Sequence, residues 1–161
     1  MKYPDDYLFS KDIDWFCIIN GIYVHVASAG GTLPAIVNDS EKLRKNQRFV
    51  YEMADIFTDD QIEVNKSFLL ARFGNQGDGI KQSEYYLDSF LHMARKGFVS
   101  LDRTNLADPY NNTYHVVCMP ESHIQIAGLN ELCNFTSRTT GLLEQISQDI
   151  ALLDEITDIA D

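Results

Sequence analysis

At 161 residues, with 13 Lys+Arg against 24 Asp+Glu, the chain carries a formal charge of -11. Its length fits a single domain of residues 1–161, able to bury about 68–70% of its unfolded surface without disulfide or metal staples. Its apolar content of 45% excludes a disordered chain, and its acidity argues against a nucleic-acid or anionic-membrane partner, which would be approached against the protein's own field.

The first residues, Met1-Lys2-Tyr3-Pro4-Asp5-Asp6, lack the apolar core and cleavage site of a secretory signal. No apolar run approaches the ~18–20 residues that span a bilayer. Cys17, Cys118 and Cys133 are odd in number and widely spaced, which is not a disulfide framework. The expectation is a reduced, cytoplasmic protein.

Residues 13–27 carry the strongest local signal. Asn20-Gly21 between two β-rich runs marks a two-residue hairpin with a type I′ turn. The register then pairs Ile19 with Ile22, Cys17 with Val24 and Trp15 with Val26, an all-apolar face directed at the core. The other face, with Phe16, Ile18, Tyr23 and His25, is mixed. Ser28 to Pro34 breaks the strand. A helix opens at Asn38 or Ser40 and runs to about residue 57 on Leu43, Val50, Met53, Ala54 and Phe57. Residues 62–73 fit a buried strand or a helix that breaks before Gly74, with the balance toward helix.

Gly74, Gly77 and Gly79 make a loop before a firm helix over 79–96, with Ser83, Leu87, Phe90, Leu91 and Ala94 as its stripe and Gly97 at its C-terminal end. Strands at 98–103 and 113–119, joined by a turn-rich segment, form a second hairpin. Residues 121–137 are poorly determined, with a short strand possible at 122–126. A last helix over 138–159 places Leu142, Ile146, Ile150, Leu153, Ile156 and Ala160 on one side, docked on the domain or on a partner chain. The expected fold is α+β: an antiparallel sheet of two hairpins with about three main helices packed on it.

Chemistry-bearing motifs are sparse. The 73–81 loop misses the phosphate-binding pattern, because Ile80 stands where its lysine would be. His115 and Cys118, three apart on a strand, point to opposite faces and so cannot share a metal or act as nucleophile and base. No catalytic residue, metal site or cofactor is assigned. Asp12 and Asp14 share a strand face without a partner to make them acid and base. From residue 139 onward there are six acidic residues and no Lys or Arg.

Three functional readings follow. The first is a non-catalytic interaction protein that binds a basic protein partner, or itself, through Glu144, Asp149, Asp154, Glu155 and Asp158; inhibitors and antidotes of basic proteins share this size and charge. The second is a small-molecule-binding domain or enzyme. Its site would gather His25, Ser28, Gly30, Gly31, Gly74, Gly77 and Gly79. The third is a winged-helix-like regulator using 79–119, where the charge of 81–103 is too low for DNA reading.

Overall fold

The structure is a computed structural model that describes residues 1–111, 113–129, 132–137, 152–153 and 156–158. It is an α+β arrangement. In chain order it holds α1 (Asp5–Phe9), β1 (Asp14–Ile19), β2 (Ile22–Ala27), α2 (Ser40–Glu52), β3 (Ile62–Val64), α3 (Lys66–Phe73) and α4 (Asp78–Arg95). These are followed by β4 (Val99–Arg103), β5 (Tyr114–Pro120), β6 (Cys133–Ser137), β7 (Leu152–Leu153) and β8 (Ile156–Asp158). Among the described residues, no helix is long and apolar enough to cross a membrane.

The first hairpin forms as its turn residues dictate. Asn20 and Gly21 both take positive φ, 50° and 81°, the requirement of a type I′ turn. The register matches the expectation pair for pair, from Ile19 opposite Ile22 to Trp15 opposite Val26.

The sheet departs from the expected antiparallel plan. Its order is β3-β5-β4-β2-β1-β6-β8, with β7 beside β5. The β2–β4 and β1–β6 pairs are parallel. The first hairpin therefore lies at the centre of a mixed sheet, and strands there must be apolar toward both layers. One face buries Trp15, Cys17, Val24, Val26 and Leu101 against Leu8, Leu33, Val37 and Leu43. The other, which sequence patterning left mixed, is also buried: Phe16 and Phe98 pack with Val50 and Met93, and Ala27 and Val117 pack with Phe90 and Ala94 of α4. The β4–β5 pair is fully buried within the sheet, not displayed as an exposed wing.

Helix α2 opens at Ser40, one of its two expected starts, and two other boundaries moved for identifiable reasons. Helix α2 is capped by Asp39, whose carboxylate accepts from the backbone N–H groups of Glu41 and Lys42. Asn38 instead bonds Tyr3 through both ends of its amide. The same helix stops at Glu52, because residues 53–60 wrap the C-terminus of α4. Ile56 and Phe57 both donate to the Arg95 carbonyl, which the helix would otherwise leave without a partner. Arg95 grips Asp59 through two nitrogens, and Lys96 donates to the Met53 carbonyl. Residues 122–126 form no strand; Ile124 and Ile126 pack under the helices from a loop.

The expected helix over 138–159 falls mostly outside the described residues. Where residues within it are described, Leu152–Leu153 pair with β5 and Ile156–Asp158 pair with β6. Those five are strand, a correction that their β-branched and Leu-rich makeup accommodates.

Residues 62–73 hold both of the elements that fitted them. Asn65 is the joint, buried with every polar atom of its amide used. Its oxygen accepts from the Phe68 N–H at the start of α3, and its nitrogen donates to the Val116 carbonyl on the edge of β5. Replacing Asn65 with Ala strands that carbonyl and uncaps the helix. The expected loss is about 1–3 kcal/mol of unfolding free energy in a urea titration.

Candidate functional site

The strand registers align one residue from each of four neighbouring strands at the same end of the sheet. Asp14 of β1 lies opposite Ala27 of β2, Ala27 opposite Asp102 of β4, and Asp102 opposite His115 of β5. At a strand spacing of ~4.8 Å the row spans roughly 14 Å. All four face the α3–α4 layer. One row deeper lie Phe16, His25, Ser100 and Cys118.

A β-bulge makes this possible. Leu101 pairs with Val116 and Ser100 with Cys118, so Val117 is an extra residue in β5. His115 and Cys118 consequently share a face, whereas simple alternation had separated them. Among the described residues, no group of three or more His, Cys, Asp or Glu is placed to hold a metal.

Two hydrogen-bonded chains run through these rows. In the first, Tyr51 donates to Asp14 at 2.6 Å, and His25 Nε2 donates to the other Asp14 oxygen at 2.8 Å. His25 Nδ1 meets Ser100 Oγ at 3.1 Å, and Ser100 lies 3.2 Å from the Phe90 carbonyl. The imidazole thus bridges the Asp14 carboxylate and the Ser100 hydroxyl, and Ser100 donates onward to the Phe90 carbonyl. The order Ser-His-Asp is superficially that of a nucleophilic triad. However, Ser100 is 0% exposed and His25 1%, so no substrate carbonyl reaches that hydroxyl. Burial pushes the Asp14 carboxyl up, but the bonds from His25 and Tyr51 outweigh it and hold it below its ordinary value. Burial and then Asp14 push the Tyr51 phenol up.

In the second chain, Thr104 Oγ1 meets His115 Nδ1 at 3.0 Å. Tyr86 lies 3.5 Å from His115 Nε2 and donates to Asp102 at 2.5 Å. The Arg103 N–H donates to the other Asp102 oxygen. His115 lies against the Phe68 ring, 4.0 Å between centroids, and burial pushes its pKa down to about 4. Burial, only partly offset by Tyr86 and the Arg103 N–H, leaves Asp102 above its ordinary value.

Above the row opens a cleft of about 500 Å³, within the range of small-molecule sites. It lies at the carboxyl ends of the parallel strands β2 and β4, where ligands bind in open α/β sheets. Asp14, Ala27 and Asp102 form its floor, and Tyr85, Tyr86, Asp88 and Phe90 of α4 line it with Asp12, Ala29 and Arg72. Four carboxylates thus surround the space against one guanidinium.

The expected ligand loops are placed differently. His25 does line the cleft, but from inside the buried chain. Ser28 is spent accepting the Ile13 N–H. Gly30, at φ 73°, donates to the Lys11 carbonyl. Gly31 lies against the Arg103 guanidinium, where a Cβ would come within 1.8 Å of Nη1. Gly74 ends α3, Gly77 begins α4, and Gly79 passes too close to the Phe73 carbonyl for any side chain. None of these glycines lines the cleft. Glu144, Asp149, Asp154 and Glu155 lie outside the described residues, and Asp158 is described only as part of β8 opposite Phe135. Arg72, Tyr86, Asp88 and Asp102 were missed. For Asp102 a signal existed, since Ser100 and Asp102 put two polar residues on one face of an otherwise apolar strand.

The site thus defines a protein with a carboxylate-rich cleft at one end of a mixed sheet. Comparison with family models, with curated proteins and with solved structures finds no match.

The His115 environment sets a pH dependence. Unfolded, this group takes a proton near 6.5; folded, only near 4. In that window the unfolded chain holds more protons, so stability falls as pH drops from about 6.5 toward 4. Asp14, lowered in the fold, adds a loss below its ordinary range, while Asp102, raised in the fold, acts in the opposite sense. Substituting His115→Gln should flatten the curve of unfolding free energy against pH over that window. The expected difference from the parent is roughly 2–4 kcal/mol across it.

Proposed function

We propose that the protein is a non-catalytic binding protein that takes a small organic cation into the cleft over β2 and β4. One observation carries this reading: Asp12, Asp14, Asp88 and Asp102 converge from three parts of the chain on one concave space. Asp102 is only 6% exposed, and a buried carboxylate gains most from a cation that replaces its lost water. The rings of Tyr85, Tyr86 and Phe90 supply faces that attract an ammonium or guanidinium group and cover its aliphatic stem. The same field that repels nucleic acid draws a cation inward.

Calorimetric titration with cadaverine and with succinate at physiological salt tests the reading. Cadaverine should bind and succinate should not. Asp88→Asn with Asp102→Asn should weaken cadaverine tenfold or more, since each charge-assisted bond is worth about 1.5–3 kcal/mol. Affinity should also fall on acidification, as protonation neutralises the raised Asp102 carboxyl. A pair of neutralised carboxylates far from the cleft, Asp5→Asn with Asp6→Asn, should leave binding unchanged. Equal weakening by both pairs would show only the attraction of a general acidic surface and overturn the proposal.

A further inference from the structure

Arg72 lines the same cleft as these carboxylates and forms an ion pair with none of them. The ion pairs among the described residues join Asp14 with His25, Asp59 with Arg95 and Asp55 with Lys96. Arg72 instead lies over three rings, with its guanidinium carbon 6.0 Å from the Phe68 centroid, 5.7 Å from Phe73 and 5.8 Å from Tyr86. Rings hold a guanidinium by its face and leave its N–H edge open. That edge presents planar, paired donors suited to two carboxylate oxygens at once. Arg72 is solvent-exposed and lines the cleft, so the donors are available to something entering it.

We infer that the ligand is a free basic amino acid, its carboxylate taken by Arg72 and its amine and basic side chain by the aspartates; this rests on the cation-binding reading above. Charge balance selects that class. Asp14 is already held by His25, which leaves Asp12, Asp88 and Asp102 against one arginine. An excess of carboxylates over one guanidinium calls for a ligand with more positive than negative groups, and a basic amino acid carries two against one. The layout agrees with this. Arg72 follows Phe68, which packs on His115 at the β5 side of the row, whereas Asp12 and Asp14 lie at the β1 side with Asp102 between. Opposite charges at the two ends of the cleft require a ligand with its own charges apart, joined by an aliphatic spacer.

The experiment compares L-arginine with agmatine, which lacks only the carboxylate, on the intact chain and on Arg72→Gln. On the parent, arginine should bind at least tenfold more tightly than agmatine. Arg72→Gln should bring arginine down to the affinity of agmatine, and agmatine itself should bind as well as before or better, because a competing cation has been removed. A retained melting temperature confirms the fold of the variant, and Arg72→Lys, which keeps charge without the paired donors, should fall between. Equal binding of arginine and agmatine to the parent overturns the inference and leaves the cation-binding reading standing. An arginine preference that survives Arg72→Gln overturns the assignment to Arg72. Failure of both ligands and of cadaverine overturns both readings together.

Discussion

The parallel pairing of β2 with β4 governs this molecule. It sets a tight hairpin in the middle of a sheet covered on both sides. Polar side chains within the helix-facing side are then removed from water, with Asp14 at its margin still partly exposed, and the buried ones must find a partner inside the protein. His25, Ser100, Asp102 and His115 all do so, through two chains that end on Asp14 and Asp102. The chains are solutions to burial first. They bear on function because the layer above the sheet opens over the last row of residues, where the carboxylates at the ends of the chains reach the cleft.

Those two carboxylates flank a single alanine and experience opposite environments. Asp14 is stabilised as an anion by an imidazole and a phenol. Asp102 receives a phenol and one backbone N–H but no cation within ion-pair distance among the described residues. A neighbouring pair driven apart in this way is a mark of binding and catalytic sites generally. Here the more deeply buried member, Asp102, is the under-compensated one, while Asp14 is satisfied by His25 and Tyr51.

Local chemistry was the legible part of the sequence. Asn20-Gly21 fixed a turn and, through period-two alternation, a six-pair register; Gly97 ended α4 where it should. What could not be read was long-range. Nothing in residues 22–27 says that residues 99–103 will lie alongside them in parallel, so the apposition of Asp14, Ala27 and Asp102 had no local trace. The bulge at Val117, which brings His115 and Cys118 onto one face, had no local trace for the same kind of reason. Helix α2 was read too long because Met53 and Phe57 keep helical spacing while serving another element, the end of α4. The glycines at 30, 31, 74, 77 and 79 stood out as a ligand loop would, yet each answers a local need of turn, cap or close approach.

The strand order also sets a sequence of events in time. The hairpin that becomes the centre of the sheet is the first sheet element to leave the ribosome, with both outer edges unpaired and two apolar faces bare. Its neighbour β4 lies some 76 residues behind the end of β2, a delay of about 4–15 s at ordinary rates of synthesis. Its other neighbour, β6, comes later still. Contacts that join such distant segments are slow to form, and exposed edges in the interval invite pairing with other chains. The architecture that makes the cleft therefore leaves the β2 edge of the nascent chain open to misassembly until β4 has been made, and the β1 edge until β6 has been made.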